Sequence, residues 1–290
     1  MRALITGSAG FVGRHFDKFL TGLGWTVWRV DTAHSDDAID FFHNEDYNYT
    51  IFDLVIHCAY HVGGRATIDG KNLNLADNLI LDSELFNWAI RSQQRAVIYF
   101  SSSAAYPTYY QTKATHKALR EDDLNLAICS PDANYGWAKV TGERLAEAAS
   151  SLGLRVHVVR PFSGYGSDQS LDYPFPSIIR RVKNNDLSVW GPRGQSRDWI
   201  HIDDVVAGSF QVYQDDDRRP VNLCTGIPTE MGELALMVKG YTSPGREPSK
   251  VVYDISKPTG VFYRVGDPTR MLEHHTPKIS LDEGIRLALG

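Results

Sequence analysis

Cysteine is scarce. The 290 residues include three, Cys58, Cys129 and Cys224, far apart and without paired or metal-type spacing, which excludes a disulfide scaffold and leaves buried free thiols as the reading. Long apolar runs are missing as well. No stretch approaches the roughly 20 apolar residues that a membrane span needs, and MRALITGSAGFVG meets its glycines before any apolar run of a secretion signal forms, so a soluble cytoplasmic protein is expected. Positive charge is not in excess: 30 Lys and Arg stand against 35 Asp and Glu, scattered, for a net charge of −5. No chain-wide field attracts nucleic acid or an anionic membrane, and phosphate recognition has to be local. There is no internal repeat and no low-complexity tract. The ten histidines show no metal-ligand spacing, so no metal is expected, and His57, His157 and His201 read as satisfied, partly buried imidazoles.

What is present is an alternation of short apolar runs with helical periodicity. Arg2–Thr6 reads as a strand, Phe11–Leu20 as a helix stopped by Gly22 and Gly24, Thr26–Val30 as a second strand and Phe52–Cys58 as a third. Helix Asn78–Ile90, strand Ala96–Phe100, helix Pro131–Ala149 and strand Leu154–Val159 follow. This pattern predicts an α/β fold of the Rossmann type, a doubly wound parallel sheet, with a smaller C-terminal substrate-binding lobe. Beyond Arg160 the loops are rich in Gly, Pro and Asp, with helices near 178–183, 230–238 and 281–289 and a strand at 188–190. Residues 1–160, with 201–225 returning to them, are expected to form the first lobe, and 161–200 with 226–290 the second.

Gly7, Gly10 and Gly13 of GSAGFVG lie between the first strand and the first helix. Such glycines permit a tight turn and a close approach of backbone to a pyrophosphate, while the helix start, with Phe11 and Val12, offers unpaired N–H groups to the anion. Asp31, 18 residues after Gly13 at the end of the second strand, is placed to accept from ribose hydroxyls and to repel a 2′-phosphate, so NAD is expected over NADP. Arg29, two residues earlier, weakens that discrimination. Asp40 and Phe41 form an acidic–aromatic pair able to frame an adenine, and Ala59, in HCAY, is small enough to leave the cofactor room in the crevice.

Tyr135 and Lys139 of YGWAK are spaced i, i+4, so phenol and ammonium share one helix face. Ser130 reads as the cap of that helix and Pro131 as its first turn. An ordinary phenol is a poor base at neutral pH, but a neighbouring ammonium favours its phenolate, as removal of an alcohol proton requires. Upstream, SSSAAYP places Ser101, Ser102 and Ser103 after a strand, either as turn chemistry or as hydroxyls at the carboxyl edge of the sheet.

GSAGFVG, DLVIHCAY, YFSSSAAYP, YGWAK, RPFSGYG and RDWIHIDDV, in that order from Arg2 nearly to the end, resemble the extended short-chain dehydrogenase/reductases, the NAD-dependent epimerase/dehydratase family that acts on nucleotide sugars. The resemblance implies that Ser102, with Ser103 as the alternative, holds the reacting sugar oxygen, that Tyr135 is the general base, and that Lys139 supports its phenolate and holds the nicotinamide ribose. It gives Asn78 a role in supporting the Ser-bearing strand, although a cap reading fits equally. On the substrate side, Ser163 stands where the family has asparagine. Arg197 matches an arginine that reaches the nucleotide diphosphate bidentately, and Arg264 is a candidate second clamp. Tyr109 and Tyr110 sit in an insertion-like loop that borders either the sugar or the solvent. Helices 78–90 and 131–149 resemble those of a four-helix homodimer interface.

Four activities fit this outline. A 4-epimerase passes a hydride from C4 to NAD and back to the opposite face. A dehydratase or decarboxylase needs an extra acid or base, usually two or three residues after the catalytic hydroxyl, where this chain has only Ala104 and Ala105; Asp168 or Asp172 could supply one from the substrate loop. A 4-keto-sugar reductase or 3,5-epimerase of the fucose-synthase kind is suggested by Gly63-Gly64 and by the Tyr-Pro after the serines, but that type carries cysteine in place of Ala104 and prefers NADP. A non-catalytic dinucleotide sensor has no need of Ser102, Tyr135 and Lys139. The 4-epimerase is the expected function.

Overall fold

The computed structural model describes residues 1–34, 36–47, 49–63, 73–243 and 250–290. Six parallel strands build the main sheet in the order β2-β1-β3-β4-β5-β9: β1 Arg2–Thr6, β2 Thr26–Val30, β3 Leu54–His57, β4 Ala96–Phe100, β5 Arg155–Pro161 and β9 Val221–Leu223. Alternation along the strands divides the core between two faces. Ala3, Ile5 and Ile98 pack on α1 (Phe11–Gly22) and α6 (Ile202–Gln214), while Leu4, Val55 and Val97 pack on α2 (Ala38–His43), α3 (Asn74–Arg91) and α4 (Ala133–Ser151). The sheet is doubly wound, and the winding reverses at β1, whose neighbours are β2 and β3. Ligands of such sheets bind in the crevice beyond the carboxyl ends of the strands at that point, which here are Thr6, His57 and Phe100.

A second sheet centres on β8 (Ser196–His201), flanked by β6 (Ser163–Tyr165), β10 (Pro228–Glu230) and β12 (Tyr263–Arg264). β7 (Ser188–Trp190) pairs with β11 (Val252–Asp254). Helices α5 (Pro174–Lys183), α7 (Met231–Thr242) and α9 (Leu281–Leu289) enclose this lobe's own core of Phe175, Ile178, Trp199, Leu234, Val238 and Ile285. A short α8 (Thr269–Leu272) sends Met271 into the core of the first lobe. The interrupted strands of the second sheet are too short for the alternation in the sequence to declare them. Among the described residues no helix is long and apolar enough to cross a membrane.

Candidate active site

The glycine turn is built by contact as well as by conformation. Gly7 has φ +70°, and a Cβ there would lie 2.5 Å from the backbone N of Ala59 at the exit of β3. A Cβ on Gly13 would lie 2.2 Å from the Gly7 carbonyl oxygen, so only glycine lets α1 start this close to the turn. Gly10 caps α1 without a side chain, leaving the first N–H groups, among them those of Phe11 and Val12, unclaimed by any side-chain cap. Asp31 accepts from the N–H of Ala9 at 2.9 Å and of Ala33 at 2.9 Å, which fixes its carboxylate beside the turn. Arg29 is turned away onto α1, with its Nε 2.8 Å and Nη2 2.7 Å from the carboxylate oxygens of Asp17. Its charge is therefore engaged by Asp17. This turn, helix start and carboxylate suit an adenine dinucleotide.

Two sequence expectations at this end are corrected. Phe41 is buried in the aromatic core, stacked on Tyr47 at 4.6 Å and packed against Trp88 and Phe52, whereas Asp40 beside it is exposed. The pair separates because α2 turns one residue inward and the other outward, so it does not frame an adenine together. Asn78 is not a helix cap. It lies in the second turn of α3, buried, where Oδ1 accepts from the His61 N–H at 2.7 Å and Nδ2 donates to the His61 carbonyl at 3.1 Å, so it holds the chain leaving β3. Gly64 of the Gly63-Gly64 pair lies outside the described residues.

Ser102 follows β4 with extended backbone, and its Oγ accepts from the Ala104 N–H at 3.1 Å to open a 3-10 turn over 103–105. Helix α4 starts later than its Ser-Pro suggests: Asp132 is its cap residue, Ala133 has φ +56°, and the Ser130 carbonyl instead accepts from Thr108. This start brings Tyr135 against Ser102. Burial pushes the Tyr135 phenol well above its ordinary value and the Tyr173 phenol adds to this, while the Ser102 hydrogen bond and the Arg264 guanidinium pull it down. Lys139 is buried and donates to the Phe100 carbonyl at 2.7 Å. Burial lowers it from 10.5 to about 8, opposed first by the charge of Asp82 and also by that of Glu143. Ser102, Tyr135 and Lys139 thus converge at the carboxyl edge of the sheet. Beneath them Glu143 receives Arg160 bidentately at 2.8 and 2.7 Å and also the hydroxyl of Ser101, while Arg160 reaches Tyr106 at 3.0 Å.

On the other wall, Arg264 is not a free clamp. Its Nη2 lies 2.9 Å from the Asp132 carboxylate and its Nε 2.7 Å from Gln111, so it secures the start of the helix that carries Tyr135. Arg197 is its register partner on the adjacent parallel strand, which sets two guanidinium-bearing positions side by side, and one Arg197 nitrogen donates to its neighbour's carbonyl at 2.8 Å. Ser163 is half-buried on β6 opposite Trp199, and Ser103 is buried. Asp168, a candidate acid, is bound by Arg14 at 3.0 Å and His15 at 3.1 Å, partners that hold its carboxyl below its usual value although burial opposes them. Tyr109 is half-exposed and packs edge-on with Tyr110, over which Lys117 lies at 4.0 Å. Asp217, Glu273 and His274 bring possible ligand atoms within 4.8 Å of one another, yet Arg219 already lies 2.6 Å from Asp217 and 2.7 Å from Glu273.

Sequence reasoning did not single out Tyr173, Asp82 or Tyr60 as functional. Tyr173 arrives from the second lobe, just before α5, and Asp82 from the inward face of α3. Neither carries a local motif.

Residues 3–224 match the NAD dependent epimerase/dehydratase family. The chain is 27% identical to a dTDP-4-dehydro-6-deoxy-D-allose reductase of a Streptomyces species, over 93% of this chain and 89% of that protein. It is 26% identical to the GDP-L-fucose synthase of Escherichia coli, over 98% and 94%. A solved UDP-glucose 4-epimerase of Thermotoga maritima, with UDP-glucose, superposes with a TM-score of 0.83 at 24% identity, covering 100% of this chain and 97% of that one. The family match runs from the first strand of the sheet to just beyond its last, through the glycine turn, the serine block and the Tyr-Lys helix, and the chain belongs to the NAD-dependent epimerase/dehydratase family of enzymes.

Proposed function

We propose that the protein is an NAD-dependent nucleotide-sugar 4-epimerase acting through a transient 4-keto sugar. Residues 1–160 and 201–225 hold the dinucleotide, with Gly7, Gly10, Gly13 and Asp31 at its pyrophosphate and ribose, and 161–200 with 226–290 hold the nucleotide sugar, with Arg197 toward the diphosphate and Ser163 toward the sugar. The bound dinucleotide supplies the hydride acceptor and donor. Tyr135 takes the C4 hydroxyl proton and returns it, Ser102 holds that oxygen, and Lys139 keeps a positive charge close enough to make the phenolate accessible. Arg264 and Asp132 fix the helix start that aims Tyr135.

One observation supports epimerisation over elimination. Beside Ser102 the chain places only Ser103, Ala104 and Ala105, all buried, and Asp168, a candidate acid on the substrate loop, is already engaged by Arg14 and His15, which hold its carboxyl below its usual value and so disfavour it as a proton donor. Dehydration needs a group to take the C5 proton and another to protonate the leaving hydroxyl, whereas reversal at C4 needs neither. A 4-keto-sugar reductase is the second reading, favoured by the likeness to the allose reductase. Exposed Ile80 on α3 and Trp137 on α4 support a homodimer through these two helices, which light scattering at micromolar concentration tests.

Incubation of the protein with UDP-, GDP-, CDP- and dTDP-hexoses and NAD, and in parallel with 4-keto hexose nucleotides and NADPH, followed by proton NMR, decides between the readings. A new C4 epimer at constant mass is expected; a product lighter by one water, or net oxidation of NADPH, overturns the proposal. Tyr135→Phe lowers turnover about 100-fold or more while NAD affinity stays within a few-fold.

A further inference from the structure

A buried polar chain lies under the Tyr-Lys pair. Lys139 Nζ sits 3.2 Å from the centroid of the Tyr60 ring, and that ring meets the Tyr135 ring edge-on at 6.0 Å. The Tyr60 hydroxyl donates to Asp82 Oδ2 at 3.4 Å, and the Tyr99 hydroxyl donates to the same oxygen at 2.7 Å. Asp82 is fully buried, and its Oδ1 faces His57 Nε2 at 3.5 Å. The other nitrogen, His57 Nδ1, pairs with Thr6 Oγ1 at 2.8 Å. That hydroxyl also accepts from the Ala59 N–H.

Burying a carboxylate is unfavourable unless donors and a counter-charge surround it. Asp82 has the donors in Tyr99 and Tyr60. The ammonium of Lys139 lies over the same Tyr60 and Tyr99 rings whose hydroxyls bind Asp82, and the carboxylate favours its charge, whereas the other acid facing that lysine, Glu143, is matched by Arg160 at two oxygens. The remaining titratable neighbours, Cys58 on the exit of β3 and the phenols of Tyr60, Tyr99 and Tyr135, are neutral at pH 7, burial pushing the Cys58 thiol up to about 12 and the phenols above their ordinary range. The helix makes room for this arrangement. A Cβ on Gly142, three residues after Lys139, would lie 1.7 Å from the Tyr99 hydroxyl and 2.5 Å from Asp82 Oδ2, although glycine inside a helix is unfavourable by about 1 kcal/mol relative to alanine.

We infer that Asp82 and Tyr60 are the positioning pair of Lys139, a buried counter-ion and an aromatic cover that keep its ammonium charged and aimed beside Tyr135. The inference rests on the role proposed above for Lys139. The carboxylate acts through charge, the ring through its face, and Tyr60 is held over the ammonium by its own bond to Asp82. Removing the carboxylate leaves burial unopposed, so the lysine loses its proton at lower pH.

The test reads Lys139 directly, through the pH titration of its 13Cε signal in lysine-labelled protein, assigned by its loss in Lys139→Met, together with the dissociation constant of NAD against pH. Asp82→Asn is expected to move the Lys139 midpoint down by about one pH unit or more and to weaken NAD over the same interval. Tyr60→Leu weakens NAD by about tenfold, and Tyr60→Phe, which keeps the ring, recovers most of that loss. A midpoint in Asp82→Asn equal to the parent's overturns the counter-ion, and equal NAD affinities in Tyr60→Leu and Tyr60→Phe overturn the aromatic cover. If Asp82→Asn does not fold, the Lys139 midpoint and NAD affinity of the two Tyr60 variants decide alone. A shifted midpoint with unchanged NAD affinity upholds the pair and shows instead that the proposed contact of Lys139 with the dinucleotide is wrong.

Discussion

Replacing Lys139 by methionine removes a proposed catalytic group and, by the physics of its site, stabilises the protein at neutral pH. Burial lowers the pKa of the ammonium from 10.5 to about 8. The unfolded chain binds that proton more tightly than the folded one, and at 1.36 kcal/mol per pH unit the difference is roughly 3 kcal/mol against folding. Because a base with a lowered folded pKa is penalised for carrying its proton, the penalty is fully present below pH 8, shrinks as pH rises from about 8 to 10.5, and is gone above that. Methionine has no proton to lose and fills a similar volume, and the Asp82 attraction that it gives up is already contained in the lowered pKa, but it abandons the hydrogen bond to the Phe100 carbonyl, at a cost of about 1 kcal/mol. The expected result is a gain of about 2 kcal/mol at pH 7 that becomes a loss of about 1 kcal/mol near pH 10.5. Urea unfolding of parent and variant at the two pH values measures it, as a shift of midpoint at unchanged slope. A variant less stable than the parent at pH 7, or offset equally at both pH values, refutes the reasoning.

Asp31→Ser removes the carboxylate that a 2′-phosphate would face, and NADP is expected to gain about tenfold or more on NAD in fluorescence titrations; an unchanged ratio places the discrimination elsewhere. Glu143→Gln leaves the Arg160 guanidinium buried beside a neutral amide, and a loss of about 3–5 kcal/mol in urea unfolding follows. A loss under about 1 kcal/mol would mean that water reaches the pair.

The elements of the first lobe were legible because their signals are local. Phe16 and Leu20 repeat at helical spacing on α1, and Tyr135 and Lys139 face one way because four residues make about one turn. The start of α4 was misread at Ser130-Pro131, since a cap signal says nothing of the Thr108 contact that occupies the Ser130 carbonyl. Phe41 was misread for a similar reason: a short helix has two faces, and only the packing of Tyr47, Phe52 and Trp88 shows which is inward.

The sequence by itself determined the parallel α/β architecture, the glycine turn with its following carboxylate, and the order of serine block and Tyr-Lys helix, because periodicity, small residues at a turn and i, i+4 spacing act between near neighbours in the chain. Only the tertiary structure decided that Arg29 turns to Asp17, that Arg264 braces Asp132, that Asp168 is pinned to α1, and that buried Asp82 and His57 and half-buried Tyr60 lie under Lys139. Each of these is an electrostatic contact between segments separated by loops, and its energy depends on a distance and a degree of burial that folding alone sets.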